Sequence, residues 1–147
     1  MTAYEKPISV WISILYRYRR SYIVKKLEKY GSLGGWYLLV MSLYHNEGAS
    51  QEQLAGILKI DKAAVARGVK KLVKDEYVIR RPDSADKRAY QLFLTQKALD
   101  LIPEILGVMK EWEKGILSGI PEESHGMIKQ YLRQMAENAC GVKPEAL

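Results

Sequence analysis

Residues 50–95 read SQEQLAGILKIDKAAVARGVKKLVKDEYVIRRPDSADKRAYQLFLT. Ser50 and Gln53 have the spacing of a capping box. In that motif the serine hydroxyl accepts the amide hydrogen three residues on, and the glutamine side chain bonds back. The spacing predicts a short helix over 51–58, with Leu54, Ala55 and Leu58 inward. Lys59-Ile60 make a tight turn, and Asp61 is a second N-cap. The next helix runs to Lys74 with Val65, Val69, Leu72 and Val73 on one face. Residues 77–81 and 89–94 are strand-like, and Pro82 to Asp86 between them is turn chemistry. Two short helices joined by a tight turn and followed by a β-hairpin make a winged helix-turn-helix.

Upstream, apolar residues at 8, 12, 15, 22, 23, 27 and 30 keep helical spacing, which predicts a long helix over 8–29. Gly31 and the pair Gly34-Gly35 are expected to break it. Trp36, Leu39, Val40 and Leu43 continue the period in a second helix ending near Asn46. Downstream, Thr95 is expected to cap a long helix carrying Leu99, Ile102, Leu106, Met109, Trp112 and Ile116. Pro103 removes one backbone donor inside that pattern, which predicts a kink or a break. Pro121 suits the first turn of a last helix over 121–139, before a frayed tail from Gly141. The fold class is therefore mainly α with a small β-hairpin wing.

At roughly 100–200 residues per domain, the 147 residues form one unit. A hydrophobic share of 48% against 27% charged excludes a mostly disordered chain. The single cysteine, Cys140, excludes an internal disulfide and fits a reducing cytoplasm. No stretch is long and apolar enough for a membrane span. The apolar run Ile8–Tyr16 precedes its positive charges, the reverse of a signal peptide, and reads as a helix.

The net charge is +6, and it is clustered. Residues 1–30 carry +5 and residues 59–97 carry +6, whereas 31–58 carry −2 and 98–147 carry −3. Clustered basic residues are the electrostatic footprint of a nucleic-acid binder. A solvated surface gives the same signal, so position must decide. The outer face of the 62–74 helix carries Lys62, Ala63, Arg67, Lys70, Lys71 and Lys74. The second helix of a helix-turn-helix enters the major groove. Ala63 and Ala64 let the backbone approach, and Arg67 can bond guanine as a bidentate fork. Lys70 and Lys71 suit phosphate. Arg80, Arg81, Lys87 and Arg88 add charge along the hairpin, where a basic tip can enter a narrow minor groove. Asp86 and Arg88 are also placed to pair across the turn and stiffen the wing.

The segment DKRAYQLFLT, Asp86 to Thr95, matches the signature D-x-R-x-x-x-x-x-L-T of the MarR family wing. The preceding LAGILKIDKAAVARGVKKLVKDEYVIRR resembles that family's helix-turn-helix. The motifs span Leu39 to Thr95, and the element order covers the whole chain. The resemblance implies a homodimer in which 1–30 and 98–147 form the dimerisation region. Residues 31–97 would form the DNA-binding lobe. It implies a pseudo-palindromic double-stranded operator, usually under repression, and in many members relief by a small phenolic or aromatic effector. Three positions depart from the pattern. Ala64 stands where Ser or Thr is frequent, which removes a hydroxyl contact. Glu76 stands where Gly usually precedes the wing strand, in a backbone conformation that strains other residues by ~1 kcal/mol or more. Ala98 stands where Gly often follows the threonine.

The first two helices are strongly aromatic. Aromatic residues at helical spacing usually serve core and dimer packing. An effector pocket, if built there, would be walled by Trp11, Leu15, Trp36 and Met109, with Arg17 or Arg19 pairing a carboxylate. His45 and His125 lack the spacing of metal ligands, so no metal is expected. Cys140 near a helix end lies where the dipole disfavours thiolate. No nucleophile–base arrangement, P-loop or dinucleotide fingerprint is present, so neither an enzyme nor a cofactor is expected. The alternative function is a winged-helix module that meets an acidic protein surface without reading DNA sequence.

Overall fold

The computed structural model describes residues 5–141. The expected frayed tail beyond Gly141 lies outside the described residues. Helix α1 spans Ile8–Leu27, and a 3₁₀ turn follows over Glu28–Tyr30. Helices α2 (Ser32–His45), α3 (Gln51–Leu58) and α4 (Lys62–Lys74) come next. Strands β1 (Val78–Pro82) and β2 (Tyr90–Leu94) form the hairpin. Helices α5 (Gln96–Leu99), α6 (Ile102–Ile116) and α7 (Glu122–Cys140) complete the chain.

Local chemistry sets most boundaries as the sequence requires. Both halves of the Ser50–Gln53 capping box form, at 3.1 and 2.8 Å. The Asp61 carboxylate accepts from Ala64 N at 3.0 Å and starts α4. Thr95 Oγ1 accepts from Ala98 N at 3.3 Å, so it caps a helix, but only the four-residue α5. The chain breaks before Pro103, which sits in the first turn of α6 where its missing N–H costs nothing. Pro121 is the N-cap of α7, one residue earlier than expected.

A further boundary differs in detail from the sequence reading. Gly34-Gly35 are themselves helical, and the kink that divides Ser32–His45 in two falls directly after them. A Cβ on Gly34 would lie 2.9 Å from the Leu27 carbonyl oxygen. That glycine is a close-approach residue joining α1 to α2. The kink itself is at Trp36 (φ −122°, ψ 21°).

The core gathers beneath α2. Leu33, Leu39, Val40 and Leu43 meet Leu54 of α3, Val65, Val69 and Leu72 of α4, and Leu92 of β2, all buried. Each such side chain contributes about 1.5–3 kcal/mol by leaving water. Ile105 and Val108 extend the core into α6, and α1 joins it near its C-terminal end through buried Ile23 and Leu27, with Tyr22 packed beside them. The rest of α1 carries an uncovered apolar stripe of Ile8, Trp11, Ile12 and Leu15. Helix α7 has no buried residue, although Met127 and Tyr131 leave 56% and 59% of their surface open on one face.

The strands pair antiparallel with Val78 opposite Leu94 and Arg80 opposite Leu92. The other edge of β2 is closed by Gly48 and Ala49, through Gly48 N to Leu92 O at 2.9 Å and Leu92 N to Ala49 O at 3.1 Å.

Candidate nucleic-acid interface

Helix α4 lies against the core on Val65, Gly68, Val69 and Leu72. Gly68 faces the Trp36 ring and Leu39, and a Cβ there would fall 2.4 Å from Trp36 Cε3. No other residue lets α4 sit so near α2. Opposite, Lys62, Ala63, Arg67, Lys70, Lys71 and Lys74 are exposed, and Ala64 is half-buried. Lys62 donates to Glu52 at 2.7 Å, which holds that carboxylate below the ordinary glutamate range. Arg67, Lys70 and Lys71 have no such partner among the described residues. The free cations of α4 therefore start one turn into the helix, and Lys62 is set apart from them.

The wing loop is held by carboxylates. Asp83 Oδ1 accepts from Ala85 N at 2.7 Å and from Asp86 N at 3.4 Å. Asp86 Oδ1 accepts from Arg88 N at 2.9 Å. Asp86 thus stiffens the wing through the Arg88 backbone, and it forms no ion pair with the Arg88 guanidinium. The side chains of Lys87 and Arg88 remain exposed. Arg81 is exposed but rests on the Phe93 ring at 4.5 Å, and Arg80 is exposed beside it in β1.

A polar junction ties this lobe to the long helices. The Tyr30 hydroxyl donates to Glu104 of α6, and Lys29 pairs with the same carboxylate at 3.0 Å. These two donors lower the Glu104 pKa. The Tyr30 carbonyl accepts from the hydroxyl of buried Tyr77 at 2.8 Å. Ser32 N donates to Asp75 Oδ2 at 3.0 Å, which supplies the missing cap of α2 from the end of α4. Lys97 donates to the Asp75 carbonyl at 2.8 Å and lies 4.4 Å from the Tyr77 ring centroid.

The candidate pocket residues are spread over three helices. Trp11 and Leu15 lie on the exposed stripe of α1, Met109 is half-buried on α6, and Trp36 is half-buried against Gly68. Arg19 is half-buried, and its Nε is shielded from solvent without a hydrogen-bond partner. It stands near Tyr37, whose hydroxyl pKa is pushed up by burial and partly restored by Arg19. Cys140 is exposed. Among the described residues, no three metal-binding side chains converge, and no helix is long and apolar enough to cross a membrane.

Sequence reasoning missed Gly68, Glu52 and Asp83. Gly68 lies within the apolar stripe of α4, where a missing side chain gives no periodic signal. Asp83 sits in a turn segment whose composition was legible but whose hydrogen bonds were not.

Comparison with known proteins places this architecture. The MarR family profile matches residues 36–90. The HTH-type transcriptional regulator YybA of Bacillus subtilis is 31% identical over 71% of this chain and 69% of its own. The HTH-type transcriptional regulator BilQ of Clostridium symbiosum is 30% identical over 76% and 78%. A MarR transcriptional regulator from Methanosarcina mazei is 40% identical, with a TM-score of 0.87 over 91% of this chain and 96% of its own. A MarR family regulator from Listeria monocytogenes, solved with a 26mer DNA, is 27% identical. It superposes with a TM-score of 0.84 over 90% of this chain and 89% of its own.

Proposed function

The chain belongs to the MarR family of winged helix-turn-helix transcription regulators, and from that premise we propose a homodimeric regulator that reads double-stranded DNA by sequence. The premise also sets it among regulators and apart from enzymes. The observation that carries the reading is the unpaired Arg67, Lys70 and Lys71 face of α4, on a helix fixed by Asp61 and Gly68. Arg67 and the methyls of Ala63 and Ala64 read base edges. Lys70, Lys71, Arg80 and Arg81 meet phosphate, and Lys87 and Arg88 follow the adjacent groove. Lys62, tied to Glu52, exchanges that partner for phosphate or stays out of the contact.

Residues 31–97 form the DNA-binding lobe, and residues 1–30 and 98–147 the dimerisation region. The uncovered stripes of α1 and α7 support a second copy as their cover. Helix α7 has no buried residue within its own chain, whereas packing supplies most of a helix's stability in proteins. The dimer would hold its two α4 helices about one DNA turn apart, ~34–36 Å, on a pseudo-palindromic site.

The protein acts as a cytoplasmic repressor relieved by a small aromatic or phenolic acid. The unpartnered Arg19 Nε beside Tyr37 supports an acidic group there. Trp11, Leu15, Trp36 and Met109 supply apolar walls.

The test is duplex selection from a random library, read at two salt concentrations. An enriched inverted repeat with half-sites about one turn apart, weakening steeply with salt, is expected. Binding without an enriched sequence overturns this reading in favour of a basic interaction surface.

A further inference from the structure

Tyr30 bonds in two directions. Its hydroxyl reaches Glu104 on α6, and its carbonyl receives the Tyr77 hydroxyl at the foot of the wing. The two residues after it continue the junction. Gly31 takes φ +62°, and a Cβ there would lie 3.1 Å from Asp75 Oδ2. Ser32 donates its amide to Asp75 and its hydroxyl to the Lys71 carbonyl at 3.4 Å. Three consecutive residues therefore touch α6, the base of β1 and the end of α4.

We propose that Tyr30 and Glu104 are positioning residues, whose contact fixes the angle of α4 and the wing against α6. The inference rests on the proposed function for its consequence, because that angle sets where two recognition helices meet a duplex. A partly exposed carboxylate with an ammonium and a hydroxyl donor adds only modestly to stability. Its effect is geometric: Glu104 gathers Lys29 and Tyr30, the last residues before the lobe begins, onto one point of α6. The buried Tyr77 carries that constraint to the wing, and Asp75 and Ser32 carry it to α4. Tyr30 thus acts through α4 and the wing and touches no ligand itself.

The first measurement needs no DNA. Spin labels at positions 70 and 110, on α4 and α6 in a Cys140→Ser background and diluted with unlabelled protein so that a dimer carries one labelled chain, report the separation of the two helices within that chain. A narrow distance distribution is expected for the parent. Tyr30→Phe and Glu104→Ala, each of which removes one partner of the hydroxyl–carboxylate bond, should broaden it about twofold, by releasing a collective lobe motion. Equal widths overturn the proposal. The second measurement uses the selected operator with its half-sites moved by one base pair, a rotation of about 35°. The parent should discriminate about tenfold between spacings, and both variants should flatten that preference while keeping the best site. A uniform loss across all spacings, with a lower urea midpoint and unchanged label distances, is the mark of a merely structural tyrosine and overturns the proposal. Glu104→Ala, at a partly exposed position, keeps the test open should Tyr30→Phe fold poorly. Broadened labels with no spacing preference in the parent would sink the DNA reading and leave the positioning role standing.

Discussion

Gly68 and Trp36 approach so closely that a Cβ on the glycine would lie 2.4 Å from the indole Cε3 and 2.6 Å from Cδ2. Gly68→Ala should gain about 1 kcal/mol of helix propensity. It should lose more, because overpacking costs about 1–3 kcal/mol where rigid neighbours must shift. The indole is rigid, and Leu39 Cδ1 stands at 2.6 Å on the same site. A lower urea midpoint and weaker DNA binding are expected together. A variant as stable as the parent would remove the argument for this contact.

Arg67 and Lys70 should separate in their effects. Arg67→Ala should weaken the selected operator by ~1–3 kcal/mol and relax preference at one base position. Lys70→Ala should weaken all duplexes alike and reduce the salt slope by about 1. Binding curves over a salt series distinguish the two. If Arg67→Ala keeps full operator affinity, the assignment of the base reader is wrong.

Glu76 holds φ +62°, in the left-handed region. Its carbonyl, which accepts from Thr95 Oγ1 at 2.7 Å, survives any side-chain change. Glu76→Gly should relieve ~1–2 kcal/mol of strain. Part of that is offset by about 0.4–1 kcal/mol of added freedom in the unfolded chain. A slightly higher urea midpoint follows, and a fall would show that the Glu76 side chain has a stabilising role.

The Glu104 pKa is lowered in the fold by the Tyr30 hydroxyl and the Lys29 ammonium. A carboxyl group depressed on folding contributes stability above its unfolded pKa, and that contribution is lost as pH falls through its folded value. The parent should therefore lose a small increment of stability as pH falls below about 4.5, and Glu104→Gln should lose less over the same range. Thermal melts of both proteins across that range make the comparison. Parallel curves would show that the Glu104 contact is absent in solution.

Much of this molecule is legible where chemistry is local. Ser50, Asp61 and Thr95 announce their helices because a cap needs only residues three apart. Pro103 announces a break because its ring removes a donor. Glycine is the exception. Gly34 and Gly68 are needed for what lies across from them in space, Leu27 and Trp36, and no window of sequence contains that pairing. The cations of the candidate interface were legible as charge, yet their partners were not. Lys62 finds Glu52 ten residues away, Arg81 finds Phe93 across the sheet, and Asp86 chooses the Arg88 amide over its guanidinium. The Tyr30 junction joins the 3₁₀ turn to the end of α4, the foot of β1 and α6, so nothing in periodicity could expose it.

The carboxylates of Asp83 and Asp86 close the wing loop on itself, and the Asp83 N to Ala89 O and Ala89 N to Asp86 O bonds, each 3.0 Å, complete the circuit. The conformational entropy of that loop is removed when the chain folds. Fixing one backbone residue removes roughly 1–2 kcal/mol of freedom. On the proposed reading, a duplex that met Lys87 and Arg88 would find a tip already shaped, with only two side chains left to order. The wing therefore influences how long a complex lasts more than how slowly it forms, and loosening Asp83 would surface as a faster off-rate in a protein whose melting temperature hardly moves.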